Sequence, residues 1–298
     1  MEQYKVIVPK LNVRKAPVAD IKDKSNIITT VNEGLILELE ETLNTPNPSI
    51  GKWYRDKQNQ YYWAGGLMKL TTSTTSPLVR LPINLPENYK LGVDVSHHNG
   101  KIDWDSLKNG GASFVYIKIS EGVGTPDAKA KENALNAFSK DFKIGYYHFC
   151  RPDSRNGGTV ESDAKAEANE ALTIISKLPN PHLPLVLDLE DQQNWDTPLQ
   201  PKAYLQWITT FVDLITERTG ITPIIYSRKE YLDRKLPKNH NLQNIKLWMS
   251  YYPSNPDCTK VGIPNGWKDW AIWQYTENGI LGTNAKIDIN IMKNDILV

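Results

Sequence analysis

Residues 183–191, LPLVLDLED, constrain the fold of this chain more than any other stretch. Five largely apolar residues run directly into three carboxylates, and prolines lie at positions 181 and 184. A short apolar run of this kind is typical of a strand buried on both faces, as in the centre of an α/β fold. Because side chains alternate along a strand, Asp188 and Glu190 are predicted to point to one side, with Cα atoms roughly 7 Å apart.

Two carboxyl groups at the end of one buried strand repel each other and lose hydration. Both effects raise the pKa and favour keeping one of the two protonated near neutral pH. Hydrolysis of a glycosidic bond needs such a pair, with one acid to protonate the leaving oxygen and one anion beside the sugar carbon. The alternative is that Asp188 caps a turn while Glu190 and Asp191 are solvated, and the triplet alone does not exclude this.

Composition excludes several classes of function. The 298 residues suffice for one large domain, or for one large and one small domain. The formal net charge of +1 gives no sign of a nucleic-acid or membrane-surface partner. No apolar run approaches the ~20 residues of a membrane span. Cys150 and Cys258 are too few for a disulfide framework and make a metal site unfavourable, so we expect two free thiols.

Residues 1–72 are predicted to form an all-β module. Short strand-like runs occur at YKVIV, LNVRKAP, NIITTV, LILELEE and YYWAGGL, separated by turn-rich pieces. Residues 52–64 are predicted to form a hairpin that closes around residues 56–60. The segment has no carboxylate pair, histidine cluster or glycine-rich phosphate loop, which indicates a binding or structural module. Residues 73–89 are Thr/Ser-rich and then Pro-rich, and are predicted to be a linker.

Residues 90–298 alternate between strand and helix patterns, which predicts an α/β domain. Helical patterns cover residues 127–142, 159–178 and 201–219. Strands are predicted at residues 91–95, 114–119, 144–149, 184–189, 222–226, 245–252, 270–276 and 286–291. The last connections are too short for full crossover helices. Eight strands with helices mainly among the first five predict a barrel related to the (β/α) barrels but irregular in its last third.

Five acidic residues are predicted to gather at one mouth of this barrel. Asp94 ends the first strand, Glu121 follows the second, Asp188 and Glu190 end the fourth, and Asp288 lies in the eighth. Chemistry in such barrels takes place at the C-terminal ends of the strands. A buried charge costs several kcal/mol unless it is paired or functional. With few Lys or Arg residues nearby, not all of the five can be salt-bridged, which favours an active site.

Eight motifs in this domain resemble those of the glycoside hydrolase family 25 lysozymes, N-acetylmuramidases of the Chalaropsis type. In order they are GVDVSHHNGKIDW, YIKISEG, GYYHFCRP, LPLVLDLED, TPIIYS, LWMSYY, WAIWQYT and IDIN, and they span roughly residues 91–292. The resemblance implies a modified (β/α)5β3 barrel. It also implies hydrolysis of the β-1,4 bond between N-acetylmuramic acid and N-acetylglucosamine, with retention of anomeric configuration.

The resemblance also implies roles for four acids. Glu190 matches the proton donor, and Asp188 matches the partner carboxylate, which either orients the sugar's N-acetyl group as nucleophile or stabilises the cation directly. Asp94 and Asp288 match two further acidic positions that hold the donor pair and the substrate. The resemblance implies no cofactor and no metal.

Groove positions of the family match Tyr147, Tyr226, Tyr252 and Gln274, which the resemblance implies stack on sugar rings or bond the N-acetyl group. The alternative for the tyrosines is a place in the barrel core. Glu121 fits a groove residue but could equally pair with Lys118 or Arg151.

The adjacent His97 and His98 suggest a metal site at first sight. Neighbouring residues on a strand point to opposite faces, so the two histidines are not expected to bind one ion.

The first module, with LNVRKAP, a Trp-containing strand and YYWAGGLMKL, resembles the bacterial SH3-like domains attached to cell-wall enzymes. The resemblance implies binding of the peptidoglycan peptide. The alternative is a small barrel that only packs against its neighbour. In many relatives the wall-binding module follows the enzyme, whereas here it precedes it.

The sequence therefore predicts a monomeric peptidoglycan hydrolase that acts on the bacterial cell wall. Two alternatives remain: a chitinase or glucosaminidase on a related barrel, or a non-catalytic wall-binding protein. The former would need a longer Asp-rich motif ahead of Glu190. The N-terminus lacks a secretory signal, so we expect either a phage endolysin released by lysis or a secreted form with its signal removed.

Overall fold

The computed structural model describes residues 1–70, 79–192 and 198–293. The chain divides into two compact units, Met1–Thr75 and Ser76–Val298. Residues 71–78, which contain most of the Thr/Ser-rich part of the predicted linker, lie outside the described residues.

The first unit is an antiparallel β-sheet, as the sequence predicts. Its seven described strands are β1 Glu2–Val6, β2 Lys10–Arg14, β3 Ile27–Asn32, β4 Ile36–Glu41, β5 Trp53–Arg55, β6 Tyr61–Trp63 and β7 Leu67–Leu70. They pair in the order β3-β2-β6-β5-β4-β1-β7. The predicted hairpin is confirmed: Trp53 lies opposite Trp63, and Asp56 accepts the N–H groups of Gln58 and Gln60 within the turn.

The second unit is a closed eight-stranded barrel with helices between its strands. In chain order its elements are β8 Lys90–Val95, α1 Trp104–Asn109, β9 Phe114–Glu121, α2 Ala130–Ser139, β10 Lys143–Phe149, α3 Val160–Ile175, β11 Val186–Asp188, α4 Pro201–Thr219, β12 Ile224–Ser227, α5 Lys229–Lys235, β13 Leu247–Ser250, β14 Ile272–Leu281 and β15 Asn284–Met292. Strand β15 is antiparallel to both β14 and β8, whereas the other neighbours are parallel. All eight predicted strands are confirmed.

Local signals explain where the long helices begin and end. Helix α4 starts with Pro201 in its first turn and stops at Gly220, whose φ of 73° closes the helix in the left-handed conformation. Helix α3 begins with a capping box in which Thr159 and Ser162 bond each other's backbone N–H. Helices α1 and α5 were not predicted, because six or seven residues are too few to show a helical period.

Alternation along the strands divides the apolar residues into two layers. On β9, Phe114 and Tyr116 point into the barrel interior, whereas Val115 and Ile117 pack outward in the main core. Strand β11 does the same, with Val186 inside and its neighbours outside. Residues 186–188, in the middle of the LPLVLDLED run, thus form the doubly buried strand that the run predicts.

Residues 79–89, which the sequence places in the linker, pack on the barrel unit. Val79, Leu81 and Leu85 contact its core, and Ile83 forms a β-bridge with Asp257.

Among the described residues, no helix is long and apolar enough to cross a membrane.

Candidate active site

A cavity of about 320 Å³ opens at the mouth of the barrel. Eight of the nine residues predicted for the site line it: Asp94, Tyr147, Asp188, Glu190, Tyr226, Tyr252, Gln274 and Asp288. The structure thus brings together side chains from six of the eight strands and from the loops after β11 and β13. Within the described part of the chain, none of the four predicted catalytic acids forms a salt bridge.

Asp188 and Glu190 occupy the end of β11. Asp188 is the last residue of the strand and is 6% exposed, and Glu190 lies two residues further on and is partly exposed. The backbone of this segment is tied to both neighbouring strands. The Cys150 N–H donates to the Asp188 carbonyl at 3.0 Å, and the Leu189 N–H donates to that of Tyr226 at 3.0 Å. These bonds present both carboxyl groups to the cavity from a rigid support.

Burial raises the pKa of both carboxyl groups in this pair. For Asp188 the desolvation adds to repulsion from Glu190, and its pKa lies well above the usual value. Its buried Oδ1 has no hydrogen-bond partner among the described residues. For Glu190 desolvation also dominates, but the positive charge of Arg228 opposes it. The pair therefore retains a proton more strongly than two solvated carboxyl groups would.

Asp94 is held by two side-chain amides. Its Oδ2 accepts hydrogen bonds from Gln274 Nε2 at 2.8 Å and from Asn290 Nδ2 at 2.7 Å. Trp248 Nε1 donates to Asn290 Oδ1 at 2.8 Å and thereby sets the orientation of that amide. Burial raises the pKa of Asp94 to about 6 against the effect of these two bonds.

The amide of Gln274 also organises two tyrosines of the groove. Its Oε1 accepts a hydrogen bond from Tyr226 at 2.8 Å and a second one from Tyr252. Tyr226 is only 7% exposed and packs edge-on against Trp248, with ring centroids 4.9 Å apart. Tyr252 is 39% exposed, so its ring is accessible to a ligand.

Glu121 does not line the cavity, which differs from the groove position expected for it. One carboxylate oxygen accepts a hydrogen bond from Lys118 at 2.8 Å, and the other accepts one from Arg151 Nε at 2.9 Å. The ion pairs that the sequence left open as an alternative are the arrangement observed.

The geometry expected for His97 and His98 is wrong. The strand ends at Val95, and the histidines follow in a 3₁₀ turn with their ring centroids 3.8 Å apart, so they do not point to opposite faces. His97 Nδ1 lies 2.6 Å from Asp127 Oδ2, whereas His98 lines the cavity.

Within the described residues, His148, Cys150 and Glu167 lie close enough to hold a metal ion, with candidate ligand atoms within 4.8 Å of one another. Both ring nitrogens of His148 are engaged, with Ser120 Oγ at 2.8 Å and Glu167 Oε2 at 2.8 Å. Burial raises the pKa of the Cys150 thiol well above its usual value, which disfavours the thiolate that a metal needs. The cluster is best explained as a buried hydrogen-bond network.

Several residues that line the cavity, and Asn290, which bonds Asp94 from beside it, were not predicted from the sequence. Asn290 lies two positions beyond Asp288 and could have been found from the alternation of the strand. Lys118, Trp248 and Glu277 carried no such signal, because their place at the mouth depends on which strands neighbour each other.

Comparison with known proteins places the second unit in a family. The model of the glycosyl hydrolases family 25 matches residues 93–283, well over half of the chain. Lysozyme M1 of Streptomyces globisporus is 29% identical over 203 residues, which cover 67% of this chain and 66% of that protein. An N,O-diacetylmuramidase of Arthroderma benhamiae is 26% identical, covering 66% of this chain and 80% of that protein.

A solved bacterial lysozyme from Streptomyces coelicolor superposes with a TM-score of 0.59 at 26% identity, covering 69% of this chain and 93% of that structure. The barrel, the acidic cavity at its mouth and the family match agree: this chain belongs to family 25 of the glycosyl hydrolases.

Proposed function

We propose that this chain is a peptidoglycan hydrolase that cleaves the β-1,4 bond between N-acetylmuramic acid and N-acetylglucosamine. The observation that carries the proposal is the Asp188–Glu190 pair, which lies in a cavity with two further acids, none of them salt-bridged within the described residues. Family membership supports the reaction class. The relatives named as a lysozyme and an N,O-diacetylmuramidase support the substrate.

In this proposal Glu190 protonates the glycosidic oxygen as the bond breaks, and then acts as base toward water. Asp188 assists through the substrate's own acetamide, whose N–H donates to the unpartnered Oδ1. The acetamide oxygen then attacks the anomeric carbon, and water opens the resulting ring, so that the configuration is retained. Two carboxyl groups only two residues apart at the end of one strand suit these separate roles of acid and assisting carboxylate, since neither of them needs to attack the anomeric carbon.

The position of the proton follows from what each carboxyl group contacts. In the free protein desolvation weighs more on Asp188, which is buried, than on Glu190, which lies closer to solvent. A substrate N–H donated to Oδ1 of Asp188 stabilises the anion of that residue. The shared proton then resides on Glu190, where the leaving oxygen needs it, so substrate binding itself prepares the acid.

The remaining site residues hold the substrate and the pair. Asp94 and Asp288 bond the sugar and the donor pair, and the accessible ring of Tyr252 stacks on a sugar face. Tyr226 and Gln274 bond the N-acetyl group, and Tyr147, which lines the same cavity, stacks on a sugar ring or bonds the N-acetyl group.

We propose a (β/α)5β3 barrel for residues 90–298, supported by the five described helices, all of which precede the last three strands. We also propose an SH3-like wall-binding domain for residues 1–72, joined through the linker at residues 73–89. The seven-stranded antiparallel sheet supports an SH3-like module, and its partner is the wall peptide. The protein acts on the bacterial wall as a monomer.

The test is digestion of purified peptidoglycan, followed by borohydride reduction and mass spectrometry of the new reducing ends. We expect reduced N-acetylmuramic acid from the wild type. Glu190→Gln keeps the shape of the side chain but cannot donate the proton, so we expect a rate about 10²- to 10⁴-fold lower.

The matched control is Glu161→Gln, an exposed glutamate on α3 that forms an ion pair with Lys165. Reduced N-acetylglucosamine as the new end would assign a glucosaminidase instead. No release from several wall types, together with retained wall binding, would establish the non-catalytic alternative.

A further inference from the structure

Lys118 lies in the wall of the catalytic cavity. It follows Phe114 and Tyr116 on the face of β9 that points into the barrel, and it is only 8% exposed. Its side chain lines the same cavity as Asp188 and Glu190. A lysine buried to this extent loses hydration and is rarely found without a partner.

Two residues hold the ammonium group in place. Glu121 Oε2 accepts its hydrogen bond at 2.8 Å, and the Phe149 ring centroid lies 4.7 Å from Nζ. The other oxygen of Glu121 is occupied by Arg151, and the two cations hold the pKa of Glu121 below its usual value although partial burial opposes them. We call Lys118, Glu121 and Arg151 the clamp. Because the clamp contains two cations and one anion, it has a net positive charge beside the cavity.

The clamp faces a group of acids. Lys118 is the only Lys or Arg among the described residues that line the cavity. The other titratable groups that line it are Asp94 on β8, His98 after it, Tyr147 on β10, Asp188 and Glu190 at β11, Tyr226 on β12, Tyr252 after β13, Glu277 on β14 and Asp288 on β15. Arg228 does not line the cavity, is half exposed and bonds Asp191, but it opposes the raised pKa of Glu190 more strongly than Lys118 does. Lys118 is the cation that opposes the raised pKa of the buried Asp188.

We propose that Lys118 is a positioning residue of the active site, whose ammonium group, held by Glu121 and Arg151, keeps one carboxyl group of the Asp188–Glu190 pair ionised. The inference rests on the proposed hydrolysis by this pair. Desolvation and repulsion among the acids favour a pair with both carboxyl groups protonated, which has no anion to accept the acetamide N–H. The fixed ammonium group of Lys118 in the cavity wall opposes protonation of both carboxyl groups. It does not block the groove, because it remains bound to Glu121.

The test is the neutral variant Lys118→Met, with Lys118→Gln as a second neutral variant that still offers Glu121 a hydrogen-bond donor. Removing the cation raises the pKa of both carboxyl groups. We therefore expect both limbs of the pH profile of kcat/KM to move up by about 0.5–1 pH unit. At a fixed pH on the acidic limb, this lowers kcat/KM about 3- to 10-fold.

A second readout does not depend on activity. The carboxyl carbons of ¹³C-labelled Asp188 and Glu190, assigned through Asp188→Asn and Glu190→Gln, are titrated by NMR in each protein. Their midpoints should rise in the neutral variants and stay near wild type in Lys118→Arg. Lys140→Met, which removes a half-exposed lysine paired with Asp105, is the matched control and should change neither readout.

Carboxyl midpoints that remain within about 0.2 unit of wild type in a folded neutral variant would overturn the inference, even if activity fell. The titration decides this point even for a protein that hydrolyses no wall, so failure of the inference and failure of the proposed function are distinguished.

Discussion

Asp94 and Asp288 lie directly opposite each other on the antiparallel strands β8 and β15. Like charges at such a position repel, and burial adds to the cost of ionising both. The two carboxyl groups differ in their partners, because Asp94 accepts hydrogen bonds from Gln274 and Asn290. Burial and the charges of Asp94 and Glu277 raise the pKa of Asp288 to about 9, whereas that of Asp94 is about 6. Asp288 therefore keeps its proton to a higher pH than Asp94 does.

This asymmetry predicts the pH dependence of stability in Asp288→Asn. Folding raises the pKa of Asp288 from its ordinary 3.8 to about 9. The contribution of Asp288 to the free energy of unfolding is therefore fully present below about pH 4 and is lost as the pH rises toward about 9. Asparagine cannot ionise. We expect the unfolding free energy of the variant to exceed that of wild type by roughly 1–2 kcal/mol at pH 8–9, and the gap to shrink toward pH 4.

The measurement is urea unfolding of the barrel unit at pH 4.5, 7 and 9. Asp105→Asn, at an exposed carboxylate, should show no such trend. A difference that is constant across these pH values would contradict the assignment.

Gln274 links Asp94 to the two tyrosines, so Gln274→Ala should affect all three. Asp94 loses one of its two donors and its pKa rises, while the Tyr226 and Tyr252 hydroxyls lose their acceptor. We expect kcat/KM to fall about 10- to 100-fold, which is about 1.4–2.7 kcal/mol of transition-state stabilisation. Gln274→Glu, which places a carboxylate against Asp94, should lose more. Activity equal to wild type in both variants would show that this network does not support the chemistry.

Gly145 on β10 allows the close approach of an aromatic ring. A Cβ at this position would lie 2.3 Å from the Tyr116 ring, inside a barrel with no room for the ring to move. We expect Gly145→Ala to lower the free energy of unfolding by about 1–3 kcal/mol. At Gly262 the added Cβ meets only the flexible chain of Lys229, so Gly262→Ala is the control and should be nearly neutral. Thermal unfolding of the two variants tests the difference.

Asp163 joins α3, α4 and the loop after β10 through a buried carboxylate. It is fully buried and accepts hydrogen bonds from Trp207 Nε1 at 2.8 Å and from the backbone and side chain of Asn156. Asp163→Ala leaves these buried donors unpaired. We expect a loss of about 2–4 kcal/mol in unfolding free energy. Glu161→Ala, two positions earlier on the exposed face of α3, should change stability by less than about 0.5 kcal/mol. Equal effects at the two positions would contradict this account.

The order of the elements was readable from the sequence, because it depends on local signals. The apolar run before Asp188 predicted a doubly buried strand, and Pro201 with Gly220 predicted the limits of α4. Alternation along that strand also predicted that Asp188 and Glu190 meet the same cavity, since both positions belong to one short segment.

The partners of these residues were decided by the tertiary structure alone. Asp94 and Asp288 are 194 positions apart in the sequence but neighbours in the barrel, because β15 closes it antiparallel to β8. Glu121 lies outside the cavity because its carboxylate bonds Arg151, which is on the loop after the next strand. The pairing of strands determines which charges meet, and so it sets the pKa of each acid, whereas the sequence by itself determined which segments become strands and which of them end in acids.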